Sequence, residues 1–113
     1  MSEQGVQSAI RLALGSHPGI KVFRNNVGQC KTDDGRHLRY GLMVGSGDLI
    51  GWRSVVITPA MVGQTFAQFV SVEVKTPKGA VRPEQQVWAD NVRKAGGIAV
   101  IARSVDDVKF LLA

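Results

Sequence analysis

The sequence holds one cysteine, two histidines and four prolines among its 113 residues, and aromatic residues make up only 6% of it. A single thiol closes no internal disulfide, which fits a reducing compartment, and without a second cysteine there is no thiolate pair for a zinc site. Cys30 has no His or Asn at a spacing that would make it a nucleophile, so it reads as a small buried hydrophobe. His17, in a Gly/Pro segment, and His37, in a polar stretch, have no partner that gives them a role. No run of about 18 apolar residues occurs, so no helical membrane span is expected. Met1-Ser2-Glu3-Gln4 lacks the basic and apolar segments of a signal peptide, and an intracellular, cytoplasmic protein is the expectation. Acidic residues are also in the minority, 9 against 14 Lys plus Arg, giving a net charge of +5. That excess favours a polyanionic partner held in a salt-sensitive way.

What is present suits one globular domain over residues 1–113, with 44% hydrophobic and 20% charged residues. Val6, Ile10, Ala13 and Leu14 recur at helical spacing over residues 3–14, and Gly15-Ser16-His17-Pro18-Gly19 ends that helix. Residues 20–27 read as a first strand. Residues 28–39 are polar and turn-rich, with Asp34-Gly35 a good tight-turn pair. A second strand begins at Leu49, and Val55 to Ile57 continues it or forms a neighbour. Thr58-Pro59 to Gly63 reads as a turn or excursion. Residues 66–76 make the clearest strand, and residues 83–95 the clearest helix, with Pro83 at its start and Gly96-Gly97 at its end. A short buried strand over 98–102 follows, then a helix capped by Ser104 and running to Leu112. The order predicts an α/β fold with a mixed central β-sheet flanked by helices.

Chemistry concentrates at a few acidic and amide side chains. In Val72-Glu73-Val74-Lys75, strand alternation puts both valines on one face and the carboxylate and ammonium on the other. Adjacent valines predict a sheet buried on the valine side. Asp48 follows Gly45-Ser46-Gly47 and precedes an apolar run, where a strand begins. If that strand pairs with the one carrying Glu73, the two carboxylates converge and offer oxygen ligands to a hard divalent cation. A lysine beside such an ion can position water and stabilise developing negative charge. Each residue also has an ordinary use: Asp48 as a turn residue, and Glu73 and Lys75 as the polar face of a strand.

Helical phase adds two more. Glu3 shares a face with Val6, Ile10 and Ala13, although a first-turn glutamate also favours the helix dipole. Gln85 falls with Trp88, Ala89, Val92 and Ala95 on a packing face, and Gln86 with Asp90 and Arg93 on the outer one. An amide among apolar residues needs partners. Either an adjacent active site or a contact in the first helical turn would supply them.

With Gly-Ser-Gly-Asp48, Glu73-Val-Lys75 and Pro83-Glu-Gln85 in this order, the chain resembles the PD-(D/E)XK nuclease superfamily. More closely it resembles the VRR-NUC (virus-type replication-repair nuclease) domain, in its stand-alone viral form. The similarity extends to Arg24-Asn25-Asn26-Val27-Gly28 and to Ala95-Gly96-Gly97. The resemblance implies a restriction-endonuclease-like core and Mg²⁺- or Mn²⁺-dependent hydrolysis of DNA. By it Asp48, Glu73 and Glu3 hold the metal, Lys75 serves catalysis and Gln85 completes the site. It also implies a homodimer acting on branched DNA such as four-way (Holliday) junctions, in repair. The family usually has proline before the aspartate, whereas this chain has Gly47. Arg24, Arg36, Arg39, Lys78 and Arg82 are the cations available to phosphates, with Lys31 beside them. The alternative from another class is a non-catalytic nucleic-acid-binding module of the same fold.

Overall fold

Ser2 starts the first helix by accepting the Gly5 N–H on its hydroxyl at 3.0 Å, the usual role of a short polar residue at a helix N-terminus. The computed structural model describes residues 2–112. The chain forms two compact units that divide between Arg53 and Ser54.

The first unit contains α1 (Glu3–Gly15), β1 (Ile20–Arg24), β2 (Gly28–Lys31), β3 (His37–Tyr40) and β4 (Leu49–Arg53). β1 and β4 pair antiparallel, from Ile20 opposite Arg53 to Arg24 opposite Leu49. Phe23 and Trp52 meet edge-on with ring centroids 5.5 Å apart. Residues 28–39, expected as an irregular polar stretch, are a β-ribbon: β2 and β3 pair from Gly28–Tyr40 to Lys31–His37. Asp34-Gly35 is its turn, closed by Thr32 N–H to Arg36 O at 2.7 Å and Gly35 N–H to Thr32 O at 2.9 Å. Its apolar positions, Cys30, Leu38 and Tyr40, share one face, but that face is exposed. Cys30, expected to be buried, is therefore exposed on it. Of the stripe on α1 only Leu14 is half-buried; Val6, Ile10 and Ala13 are exposed. The groove between α1 and β1 is lined instead by Ser8, Arg11, Leu12 and Gly15 from the helix.

The second unit begins with an extended segment in which Val55 to Ile57 forms no strand. A 3₁₀ turn follows (Pro59–Met61), then β5 (Val70–Val74), α2 (Pro83–Lys94), β6 (Ile98–Ala102) and a terminal 3₁₀ helix (Val105–Leu112). The last was expected as an α-helix capped by Ser104. It is 3₁₀ instead, and the Asp107 carboxylate reaches back ahead of it to accept the Arg103 N–H at 2.8 Å. β5 and β6 are parallel, from Val70 opposite Ile98 to Val74 opposite Ala102, with α2 as the crossover that parallel pairing requires. In place of one mixed sheet, the described residues form three two-stranded sheets. Each strand is only four or five residues long; β2 meets β3 through a short turn and β5 meets β6 through α2, while the β2–β3 ribbon lies between β1 and β4 in the chain.

The core of this unit is small. Ala89 and Val92 of α2 and Ala99 and Ala102 of β6 are its buried apolar side chains. Strand alternation along β5 holds, but the covered face is the opposite of the expected one. Val70, Val72 and Val74 are 45%, 43% and 76% exposed, whereas Ser71, Glu73 and Lys75 are half-buried. The side chains of α2 explain the inversion. Its packing face carries Trp88 and Gln85, whose N–H groups need acceptors when covered. Trp88 donates to Ser71 Oγ at 2.8 Å and Gln85 to Glu73 Oε1 at 2.8 Å.

Val92, at 1% exposure, is the largest fully buried side chain. Val92→Ala is expected to lower stability by about 2 kcal/mol, for two lost methyl groups plus the cavity they leave. Val87→Ala, on the exposed face of α2, should stay within about 0.5 kcal/mol. Urea titration of both variants checks the assignment of faces; equal losses would refute it.

Candidate active site

Three of the expected site residues come together in the second unit. β5 ends at Val74, but the Lys75 N–H still donates to Ala102 O at 3.0 Å, so the ladder continues through the lysine. Glu73 and Lys75 therefore stay on one face. The Lys75 Nζ lies 3.7 Å from Glu73 Oε1, with the lysine side chain 15% exposed and the glutamate 42%. A largely covered ammonium needs a counter-charge, and Glu73 is the one it has. Gln85 holds the same oxygen from the other side through its Nε2, and its Oε1 accepts the Arg82 N–H at 3.0 Å. The amide thus makes two contacts at once: it closes the first turn of α2 and it bonds the Glu73 carboxylate. Trp88, Ala89 and Val92 share its packed face, while Gln86 bonds Asp90 on the outer one, as helical phase required.

Glu73 Oε2 accepts no hydrogen bond from any described residue. The carboxylate is thus half anchored and half free. A hard cation such as Mg²⁺ takes one or two carboxylates and completes its shell with water and substrate oxygens. A fixed carboxylate with one uncommitted, accessible oxygen fits that requirement. Within either unit, the described residues include no group of three or more His, Cys, Asp or Glu side chains placed to hold an ion. A cavity of about 160 Å³ opens beside Glu73 and Gln85, walled by Ser71, Glu84, Trp88 and Ile101.

Arg103 is a contributor that the sequence reading missed. Its Nη1 donates to Thr76 O at 2.7 Å, to Gly79 O at 2.8 Å and, longer, to Pro77 O at 3.3 Å. One guanidinium thereby ties down the loop that follows Lys75 and carries Lys78. The only signal was a cation directly after the buried strand.

Asp48 and Glu3 lie in the first unit. Asp48 stands immediately before β4; its main-chain oxygen accepts the Asn25 N–H at 2.9 Å. Its exposed carboxylate takes no hydrogen bond from a described residue. Glu3 opens α1 and is exposed in the first turn, where it favours the helix dipole. The Gly47 departure has no steric cause. Its φ is not among the positive ones, and a Cβ there would meet only Leu49 O, at 3.4 Å.

The basic residues differ in availability. Arg36 is engaged by Asp34, with an ion pair at 2.7 Å and a second bond from Nε at 2.8 Å. That guanidinium, with the Thr32 hydroxyl, holds the Asp34 carboxyl below its ordinary range. Register places Arg39 opposite Gln29 and His37 opposite Lys31, so these four share one face of the ribbon. Arg24, Lys78 and Arg82 are exposed at the end of β1, in the loop after Lys75 and at the start of α2.

A family model described as the VRR-NUC domain matches residues 4–106. The chain belongs to the VRR-NUC family. No curated protein and no solved structure gives a match. The matched span takes in Asp48, Glu73, Lys75 and Gln85, and begins one residue after Glu3. Membership makes this a nuclease-type, DNA-binding domain, and its α/β elements with small sheets agree with that. No helix of this VRR-NUC domain, among the described residues, is long and apolar enough to cross a membrane.

Because nothing at position 47 demands glycine, Gly47→Ala should be neutral or raise stability by up to about 1 kcal/mol through a less flexible unfolded chain. Thermal denaturation measures it. A loss above 1 kcal/mol would mean that the turn needs backbone freedom there.

Proposed function

We propose that this VRR-NUC chain is a Mg²⁺- or Mn²⁺-dependent endodeoxyribonuclease, and that its two compact units work as one domain. The observation that carries the reading is the Glu73 carboxylate, pinned through one oxygen by Gln85 and Lys75 and left open at the other. Asp48, Glu73 and Glu3 are the residues that would hold the ion. When bound, a divalent ion supplies an activated water and neutralises charge at the phosphate. Gln85 keeps Glu73 in one rotamer, so the carboxylate needs no reorganisation during the reaction. Lys75, held 3.7 Å from the Glu73 carboxylate, orients the attacking water and stabilises charge that develops on phosphate oxygens. Two carboxylates repel DNA phosphates unless a cation intervenes, which favours catalysis over a pure binding module.

Exposed Arg39 and Lys31 on the ribbon, with Arg24, Lys78 and Arg82, supply phosphate contacts. Arg36 contributes less, because Asp34 already neutralises it. By family resemblance the preferred substrate is branched DNA, four-way junctions included, cut during repair by a homodimer. An isologous dimer would present two equivalent sites to two strands.

The test uses labelled duplex, flap and four-way-junction DNA with Mg²⁺, Mn²⁺ or EDTA. Cleavage should require metal, and Lys75→Ala should reduce it by about 10²- to 10³-fold while DNA binding survives. Binding without cleavage in every metal would favour the non-catalytic module, and undiminished cleavage by the variant would place the chemistry elsewhere. A monomer in sedimentation, together with nicking of duplex but not junctions, would remove the dimer and the junction preference. Separately, Arg39→Gln should weaken DNA binding and flatten its salt dependence by about one ion, and Arg36→Gln should change both less. Equal effects would contradict the neutralising role of Asp34.

A further inference from the structure

Residues 42–48 are a loop with almost no apolar support. Leu42, Met43 and Val44 are 52%, 83% and 83% exposed, so burial does not give the loop its shape. Polar bonds do: the Ser46 N–H closes a turn on Met43 O at 3.0 Å, and the bonds that fasten the loop to the strand converge on one side chain. Asn25 follows the last residue of β1, and its N–H to Asp48 O extends the β1–β4 ladder by one step. Its side chain then reaches further along the loop. Nδ2 donates to Gly47 O at 2.9 Å and to Ser46 Oγ at 2.7 Å, and Oδ1 accepts the Leu42 N–H at 3.1 Å. Both amide protons and the carbonyl are committed, the full donor capacity of an asparagine. The loop is thus gripped at its first residue and at the residues just before Asp48. Gly41, with φ of 81°, brings the loop in against the strand end; a Cβ there would collide with Asn26 O and lie 2.8 Å from Val27 Cα.

We infer that Asn25 is a positioning residue that holds Asp48 in its metal-binding placement through the 42–48 loop. The inference rests on the proposed reading of Asp48 as a metal ligand. Asn25 touches neither the ion nor the substrate in this scheme. It acts as a partner behind the ligand, and loss of such a partner ordinarily weakens metal binding between about 10- and 100-fold. An aspartate cannot replace it, since a carboxylate has no proton for Gly47 O.

The test is binding of Mn²⁺ alone to the full chain, followed by the electron paramagnetic resonance signal of free Mn²⁺. Wild type is compared with Asp48→Ala, Asn25→Ala, Asn25→Asp and Asn26→Ala. Both Asn25 variants should weaken Mn²⁺ binding at least tenfold, Asp48→Ala should do the same, and Asn26→Ala should leave it unchanged. If Asp48→Ala weakens binding and the Asn25 variants bind as wild type, the positioning role is overturned and the metal reading stands. If Asp48→Ala itself binds as wild type, Asp48 is no ligand, and the inference falls with that reading. Amide exchange in the wild-type protein gives a measure that needs no variant to fold. The Leu42 N–H should be protected relative to Met43, Val44 and Gly45; exchange as fast as theirs would refute the grip.

Discussion

The hydrogen bond from Gln85 to Glu73 is the constraint around which the second unit is organised. A helix laid over a parallel strand pair normally buries apolar groups, and α2 does so with Ala89 and Val92. Its first turn instead brings an amide against the strand, and an amide in that position must find a polar partner. Glu73 is that partner, so the carboxylate face of β5, rather than its valine face, lies under the helix. Lys75 follows by alternation and is covered with it. The polar cluster and the direction of packing are therefore one decision, made by the residue at position 85.

The first unit is held on another principle. No side chain in it reaches full burial among the described residues. Its order comes from ladders, a tight turn and the asparagine that fastens the loop before Asp48. Such structure depends on geometry at particular donors and acceptors, and a single missing partner costs more than a missing methyl group on the surface. The two units thus present two means of placing a carboxylate: by a covering helix in one, and by a tethered loop in the other.

Much of this was legible in the residues. The periodicity of Gln85, Trp88, Ala89, Val92 and Ala95 located the packing face of α2, since a helix of twelve residues repeats its phase often enough to be read. Alternation placed Glu73 and Lys75 together, and the order of motifs pointed to the family that the matched span shows. What was illegible depends on partners distant in sequence. Valine content suggested a buried face on β5, but burial is decided by what covers a strand, not by the strand. The ribbon looked like a loop because its two strands are only four residues each, too short for their alternation to stand out among the turn residues between them. The tethering contacts of Asn25 and Arg103 were not legible locally, because each acts on a segment more than fifteen residues away.

The ribbon also places the chain's one thiol. Cys30 lies opposite Leu38 and Gly28 opposite Tyr40, on the face turned away from Arg39 and Lys31. Air oxidation can join this exposed sulfur only to another molecule, and the resulting bridge would run ribbon to ribbon between two chains. Such a covalent pair would mimic self-association in any mass measurement made without reductant. Dithiothreitol, or Cys30→Ser, separates an adventitious cross-link from a true subunit interface.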